Sequence, residues 1–373
     1  MRILYVITRS ERGGAQSNVL SLIKSRKSTD ENFLFTGSID SNTNKDFLIS
    51  EAKKINKTKI FHVCPSLVAE ISPILDVKTI IQLVQIINLH RPDIIHAHSS
   101  KAGTLARIAG YITKTPTVFT AHGWAFTDGA PFNRKAIAIL TERISSHIGS
   151  RIISVSEYDT RLAHRWGICS LKQITTIENG IPDLIINKKT VKEKNLRVVM
   201  TARFAMPKNQ KNLIQAAALV NNVELLLVGD GPQLNAAKSL AYELGISDRV
   251  QFLGNRSDVP EILAQADAFA LISDYEGFPI STLEAMRAAL PVIVSDVGGA
   301  AESVMPGVTG FVVPKGDVQA IADALKILAE QPERRESMGI AGRARFLSRY
   351  QEKDMIDKTF RVYEEVLSER GVN

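Results

Sequence analysis

Short apolar runs rich in Val and Ile alternate with stretches of helical period along the whole chain, in two separate series. Parallel strands can be joined only through a crossover of a dozen or more residues, usually a helix, so this alternation predicts parallel sheets covered by helices. The first series has its runs at 3–8, 33–37, 93–97, 117–121 and 152–155. The second has them at 197–202, 223–228, 250–253, 268–272, 292–295 and 311–313. Between the series, Asn179-Gly180 gives a turn signal and 187–195 is polar and Lys-rich, which places a domain boundary there. A chain of 373 residues fits two domains, since single cores stop growing beyond roughly 250–300 residues. The pattern predicts two helices within 317–348, divided near Gln331-Pro332, and a terminal amphipathic helix carrying Met355, Ile356, Phe360, Tyr363 and Leu367.

Composition excludes several classes. With 45% hydrophobic and 23% charged residues the chain is globular. Cys64 and Cys169 form no C-x-x-C pair, so neither a disulfide framework nor a zinc site is indicated, and a reducing cytoplasm fits. The N-terminus is strand-like and too soon interrupted by Thr8-Arg9-Ser10 to read as a signal peptide. No apolar run approaches the roughly 20 residues of a spanning helix. The net charge of +7 is uneven: residues 1–190 hold 25 Lys and Arg against 15 Asp and Glu, and the remainder 21 against 24. A basic first half favours anionic partners, nucleic acid or acidic lipid headgroups, although simple solubility also accounts for it.

Candidate ligand-binding residues stand at the expected carboxyl ends of strands, where open parallel sheets bind ligands. Gly13 and Gly14 follow the first strand and open a helix; such a pair lets the backbone approach an anion, or is a tight turn and nothing more. The segment 65–76 is unusually apolar for one broken by prolines; burial is favoured slightly over an exposed apolar lip that touches lipid. Alternation puts His96 and His98 on one strand face, a geometry open to a metal but more often used for ordinary hydrogen bonds. His122, beside Gly123, has the better position to reach a ligand. Arg203 and Lys208 follow the first strand of the second series and can clamp a diphosphate, with solvated surface cations as the alternative. Gly229-Asp230-Gly231 and Gly254-Asn255-Arg256 are further turns on the same edge. Glu276-Gly277-Phe278-Pro279-Ile280 leads into a helix with Pro279 in its first turn, and Glu284 lies roughly 80° around the axis from a residue eight earlier at about 100° per residue.

Arg203, Lys208, Val-Gly-Asp-Gly-Pro at 228–232, Phe-Leu-Gly-Asn-Arg-Ser-Asp-Val at 252–259, Glu-x7-Glu at 276–284 and Pro-Val-Ile-Val-Ser-Asp-Val-Gly-Gly at 291–299 together resemble the retaining glycosyltransferases of family 4. Gly-Gly-Ala-Gln at 13–16 and His-Ala-His-Ser-Ser-Lys-Ala-Gly at 96–103 resemble the branch that builds bacterial surface polysaccharide: O-antigen, capsule or exopolysaccharide. The resemblance implies a GT-B fold, two Rossmann-like α/β domains facing across a cleft. An acceptor domain would span 1–186, a nucleotide-sugar domain 196–350, and a helix at 351–373 would cross back to the first. It implies that Arg203, Lys208 and the amides of Phe278 and Ile280 hold the donor diphosphate. Glu284 would hold the ribose, Glu276 and His122 the donor sugar, and Asn255 and Arg256 the base, with Gly13, Gly14, Gly229 and Gly277 lining the donor site. His122, Glu276, Arg203 and Lys208 are the expected catalytic set.

The same resemblance implies a hexosyl- or N-acetylhexosaminyl-transferase using a nucleotide sugar, expected to be UDP-linked, and a lipid-linked saccharide acceptor. No cofactor and no nucleic-acid partner are expected, and no metal ion either, since no Asp-x-Asp occurs in the sequence. The expected location is cytoplasmic, peripheral at the anionic inner face of the cell membrane through the first domain. Two positions depart from the family pattern: Ala289 and Asn209 stand where glycine is common. A sugar-nucleotide epimerase of the same fold and a two-lobed binding protein without chemistry are the alternatives. A dehydrogenase is disfavoured, because Gly13-Gly14 lacks the dinucleotide fingerprint.

Overall fold

The computed structural model describes residues 1–25, 31–37, 47–55, 58–128, 132–184 and 195–369. Most of the expected linker, 187–194, and the end of the expected terminal segment, 370–373, lie outside the described residues. The chain divides into two compact units, one of Met1–Asn179 with Glu352–Asn373, the other Gly180–Gln351.

In the first unit the strands are β1 (Arg2–Ile7), β2 (Glu31–Gly37), β3 (Thr58–Cys64), β4 (Ile94–His98), β5 (Thr117–Ala121), β6 (Arg151–Ser154) and β7 (Ile174–Thr176). They form one parallel sheet in the order β3-β2-β1-β4-β5-β6-β7. Helices cover both faces, so the central strands are buried throughout: Ile3 to Ile7 are at most 1% exposed. The two strands absent from the sequence expectation, β3 and β7, are the edges of this sheet.

The second unit repeats the plan with β8 (Leu196–Thr201), β9 (Val223–Val228), β10 (Val250–Gly254), β11 (Ala268–Leu271), β12 (Val292–Ser295) and β13 (Gly310–Val313). The order is β10-β9-β8-β11-β12-β13, again all parallel. Both sheets are therefore Rossmann-like, and each has a point where the strand order reverses: between β1 and β4 in the first, between β8 and β11 in the second. Loops diverge there and leave a crevice at the carboxyl edge.

The expected helix pair at the end of the second unit is present as Val318–Glu330 and Pro332–Arg349. The last helix, Glu352–Ser368, belongs to the first unit, where Met355, Val362, Tyr363 and Val366 join the core beside Ile3 and Tyr5. The helix Pro73–His90 starts with proline in its first turn and ends at Arg91, whose left-handed φ of 45° lets its amide bond the Ile87 carbonyl.

Segment 65–76 divides the two readings made of it. Leu67 is buried, but Ile71 and Ile74 are 74% and 83% exposed, so burial is overturned for the half that leads into the helix. The helix starts at Pro73 and turns Leu83 and Ile87 to the sheet, which leaves Ile74, Val77 and Ile81 on its outer face.

Candidate active site

In the second unit the loop after β8 is held against the loop after β11. The Asn209 amide bonds the Ile272 carbonyl and the Asp274 amide bonds the Pro207 carbonyl, both at 2.9 Å, and Lys208 and Ser273 form an antiparallel bridge. This zipper carries the Lys208 ammonium onto the Glu276 carboxylate, with which it forms an ion pair; the two side chains are 20% and 10% exposed. A cation expected at a diphosphate and a carboxylate expected at a sugar are thus brought together at the reversal point. Asn209 caps the following helix, Gln210–Ala218, by accepting the Asn212 amide at 3.2 Å, a task a glycine there could not perform.

Arg203 lies exposed in the same loop. Its carbonyl accepts from the buried Gln210 side chain at 3.1 Å, a supporting residue that sequence reasoning did not single out. Gly229 and Gly231 press the loop from the other side. At φ of 136° and 154° they occupy backbone that side chains rarely adopt, and a Cβ on either would come within 2.1 Å of the Ala202 carbonyl or 2.4 Å of the Phe204 carbonyl. The Gly229 amide in turn bonds the Gly254 carbonyl at 2.8 Å. Asn255 and Arg256 follow β10, two strands away from β8, and Arg256 is closed on Asp258 by two hydrogen bonds of 2.8 and 2.6 Å.

The helix after Glu276 begins at Ile280, one residue later than Pro279 in its first turn would require: Pro279 is the extended residue that precedes it. Glu276 therefore sits in the bend outside the helix, and the angular relation to Glu284 expected for one continuous helix does not apply. Glu284 lies within the helix Ile280–Arg287, partly exposed. Phe278 is buried and stacks obliquely on Tyr350 at 5.5 Å, so its side chain belongs to the core. Gly277 is partly exposed between the two. Gly298 was not a candidate; it lies directly behind Glu276. The only sequence signal for it is the Gly-Gly that ends the stretch at 291–299.

In the first unit Gly13 and Gly14 follow β1, and Gly14 begins the helix Gly14–Lys24. Gly13 is extended at φ −172°, and its added Cβ would meet chiefly the flexible Gln16 side chain at 2.7 Å. The β1 and β4 loops are tied by a 2.6 Å hydrogen bond between Thr8 and Ser99. His122 follows β5, next in the sheet, and is partly exposed. Beneath it His96 and His98 are buried on one face of β4, their ring centroids 4.0 Å apart. His96 bonds Tyr363 Oη at 2.5 Å and Thr120 Oγ1 at 2.7 Å, while His98 Nδ1 meets His122 Nε2 at 3.0 Å. Burial pushes His96 down to about 3 and His122 to about 4, and holds His98 well below the ordinary imidazole range, so all three are neutral at pH 7. Among the described residues no three His, Cys, Asp or Glu are grouped to hold a metal ion.

Two Rossmann-like units define a class: proteins whose ligands sit at the reversal points of two open parallel sheets, here with an ion-paired lysine and glutamate before a helix N-terminus in one of them. The sequence matches Glycosyltransferase Family 4 over residues 51–183 and Glycosyl transferases group 1 over residues 183–345. It is 32% identical over 281 residues to the Escherichia coli UDP-Gal:alpha-D-GlcNAc-diphosphoundecaprenol alpha-1,3-galactosyltransferase, covering 70% of this chain and 72% of that protein. It is 26% identical to the Staphylococcus aureus capsular polysaccharide biosynthesis glycosyltransferase CapM, covering 86% and 89%. In structure it resembles Anabaena Alr3699/HepE, crystallised in complex with UDP and glucose, with a TM-score of 0.82 at 20% identity over 98% of this chain and all of that one. The chain belongs to glycosyltransferase family 4, and its fold is GT-B.

Proposed function

We propose that the protein transfers a sugar from a UDP-linked donor to a lipid-linked saccharide, with retention of anomeric configuration, in the synthesis of a bacterial surface polysaccharide. The observation that carries this reading is the Lys208–Glu276 pair, set beside exposed Arg203 and ahead of the Ile280–Arg287 helix. Two cations and the free amides of a helix N-terminus suit a diphosphate. A carboxylate beside them suits the hydroxyls of the sugar attached to it. In the reaction, negative charge grows on the leaving diphosphate, and Arg203 and Lys208 stabilise it in the role a divalent metal plays elsewhere. The acceptor hydroxyl attacks the anomeric carbon from the face the diphosphate leaves, and a diphosphate oxygen takes its proton. Glu276 then orients the sugar and transfers no proton.

The E. coli relative's name supplies the choice of UDP-galactose as the first donor to try and of an undecaprenyl-diphosphate-linked N-acetylglucosamine as the first acceptor. The outer face of the first unit supports the membrane side of the reading. Ile71, Ile74, Val77 and Ile81 stand exposed at and along the helix Pro73–His90, and Ile137, Leu140 and Ile144 along the helix Phe132–Ile148. Both helices pack against the one between them, Ser100–Thr113, on a unit with a basic excess.

The test is a panel of UDP-, GDP- and ADP-sugars with and without short lipid-diphosphate acceptors, in the presence and absence of a chelator. Products are read by mass and anomeric coupling. Transfer from a UDP-sugar with retained configuration, unaffected by the chelator, is expected. No turnover of any donor, an inverted product, or an epimerised sugar released without acceptor would each defeat the reading.

A further inference from the structure

His98 is fully buried beneath His122, the two rings stacked with centroids 5.3 Å apart and planes inclined by 24°. Its Nδ1 meets His122 Nε2 at 3.0 Å. Its own Nε2 is buried and has no hydrogen-bond partner among the described residues. The nearest ring, His96, cannot answer it, because Tyr363 and Thr120 take both of its nitrogens.

A neutral imidazole carries one proton on one of its two nitrogens, and the bond between two such rings needs one donor and one acceptor. If His122 Nε2 were the donor, His98 would accept at Nδ1 and bury an N–H at Nε2 with nothing to receive it. If His98 Nδ1 is the donor, what is left at its Nε2 is a bare lone pair. Orphaned buried donors are rarer in folded proteins than under-used acceptors. The second arrangement wins, and it fixes the partner: with Nε2 accepting, His122 carries its proton on Nδ1.

We propose that His98 is a positioning residue that locks His122 as the Nδ1–H tautomer, so that His122 offers a hydrogen-bond donor to a hydroxyl oxygen of the donor sugar. The assignment of the sugar to His122 rests on the proposed function; the tautomer itself does not. Neutrality of both rings at pH 7, which burial imposes, is what makes the tautomer rather than a charge the variable.

Long-range 1H–15N NMR of the full-length protein labelled in its histidine rings, at pH 7 and without ligand, reads this directly. The expected spectrum has Nδ1 protonated and Nε2 unprotonated in both His98 and His122. His98→Asn, whose amide can donate from the place of Nδ1, should keep the His122 signature. His98→Leu should raise the population of the Nε2–H form of His122 about fivefold or more, the factor that one net hydrogen bond supplies. An Nε2–H or doubly protonated His122 in the unaltered protein, or an unchanged His122 signature in a folded His98→Leu variant, overturns the proposal. The unaltered protein decides even where a variant fails to fold. The expected tautomer in a protein that turns over no nucleotide sugar would leave the lock standing and defeat the proposed function instead.

Discussion

Gly298 lies so close behind Glu276 that a Cβ added to it would come within 1.9 Å of the Glu276 carbonyl oxygen. The glycine is also left-handed, at φ 53°. Both facts mean that any side chain at 298 must push the Glu276 bend away from β12, and with it the carboxylate that Lys208 holds. Misplacing a group that positions the substrate by about 1 Å can lower a rate by roughly 100-fold. Gly298→Ala is therefore expected to lose about that much kcat/KM for the donor while its circular dichroism stays native. Near-normal donor kinetics would show that the bend absorbs the strain.

The Lys208–Glu276 pair separates the roles of its members. Without ligand, the glutamate neutralises part of the lysine charge that a diphosphate would use. Glu276→Gln removes that competition and should bind UDP at least as tightly as the unaltered protein, yet transfer sugar more slowly because the sugar is less well oriented. Lys208→Ala should weaken UDP itself by about 10- to 100-fold, the range of a charge-assisted hydrogen bond of roughly 1.5–3 kcal/mol. Calorimetry with UDP alone checks both, and equal losses in the two variants would contradict the division of roles.

How much of this was legible in the sequence follows physical lines. Every strand buried on both faces was visible as an apolar run, because a parallel sheet covered by helices leaves no polar face. The two that escaped, Thr58–Cys64 and Ile174–Thr176, are the edges of the first sheet. One reads Thr-Lys-Ile-Phe-His-Val-Cys, with polar residues interleaved, and the other is three residues long. Lys208 and Glu276 were both legible as candidates, but their contact depends on the pairing of residues 207–209 with 272–274, which has no apolar signature. His98 was visible only as the second histidine of a strand. That β5 lies beside β4, and so sets His122 over it, is a fact of topology.

Ala289 illustrates a departure with a measurable cost. It follows the helix Ile280–Arg287 at φ 55°, a left-handed conformation that disfavours every residue with a Cβ. Relief of that strain outweighs the extra freedom glycine gains in the unfolded chain, so Ala289→Gly should stabilise the protein by about 1 kcal/mol. Urea denaturation of the two proteins measures it, and a destabilised glycine variant would mean that the alanine methyl makes packing contacts worth more than the strain.

The buried histidines set an acid limit. Their pKa values are lowered in the folded protein, so as pH falls below about 6.5 the unfolded chain takes up protons that the native rings refuse. Stability contributed by His96 is complete well above pH 6.5 and is lost progressively as pH falls toward its folded value of about 3. The loss between pH 7 and pH 5 is about 2 kcal/mol for that one ring by linkage, with His98 and His122 acting in the same direction. Urea midpoints at the two pH values should fall accordingly, and a flat profile would mean that the rings are not held neutral.

The exposed apolar residues of the first unit lead to a test of membrane association that does not need the substrate. Ile74 and Leu140 stand 83% and 61% exposed on two helices that flank Ser100–Thr113. Inserting one such side chain into a lipid interface is worth about 2 kcal/mol, or roughly 30-fold in partition. The basic excess of residues 1–190 adds an attraction that salt screens. Ile74→Asp with Leu140→Asp should therefore reduce binding to phosphatidylglycerol vesicles by more than an order of magnitude without changing hydrolysis of a soluble donor. The unaltered protein should bind such vesicles more weakly as salt is raised. Equal binding by the double variant, or by residues 180–351 expressed alone, would remove the first unit from the membrane and leave its apolar stripes to another partner.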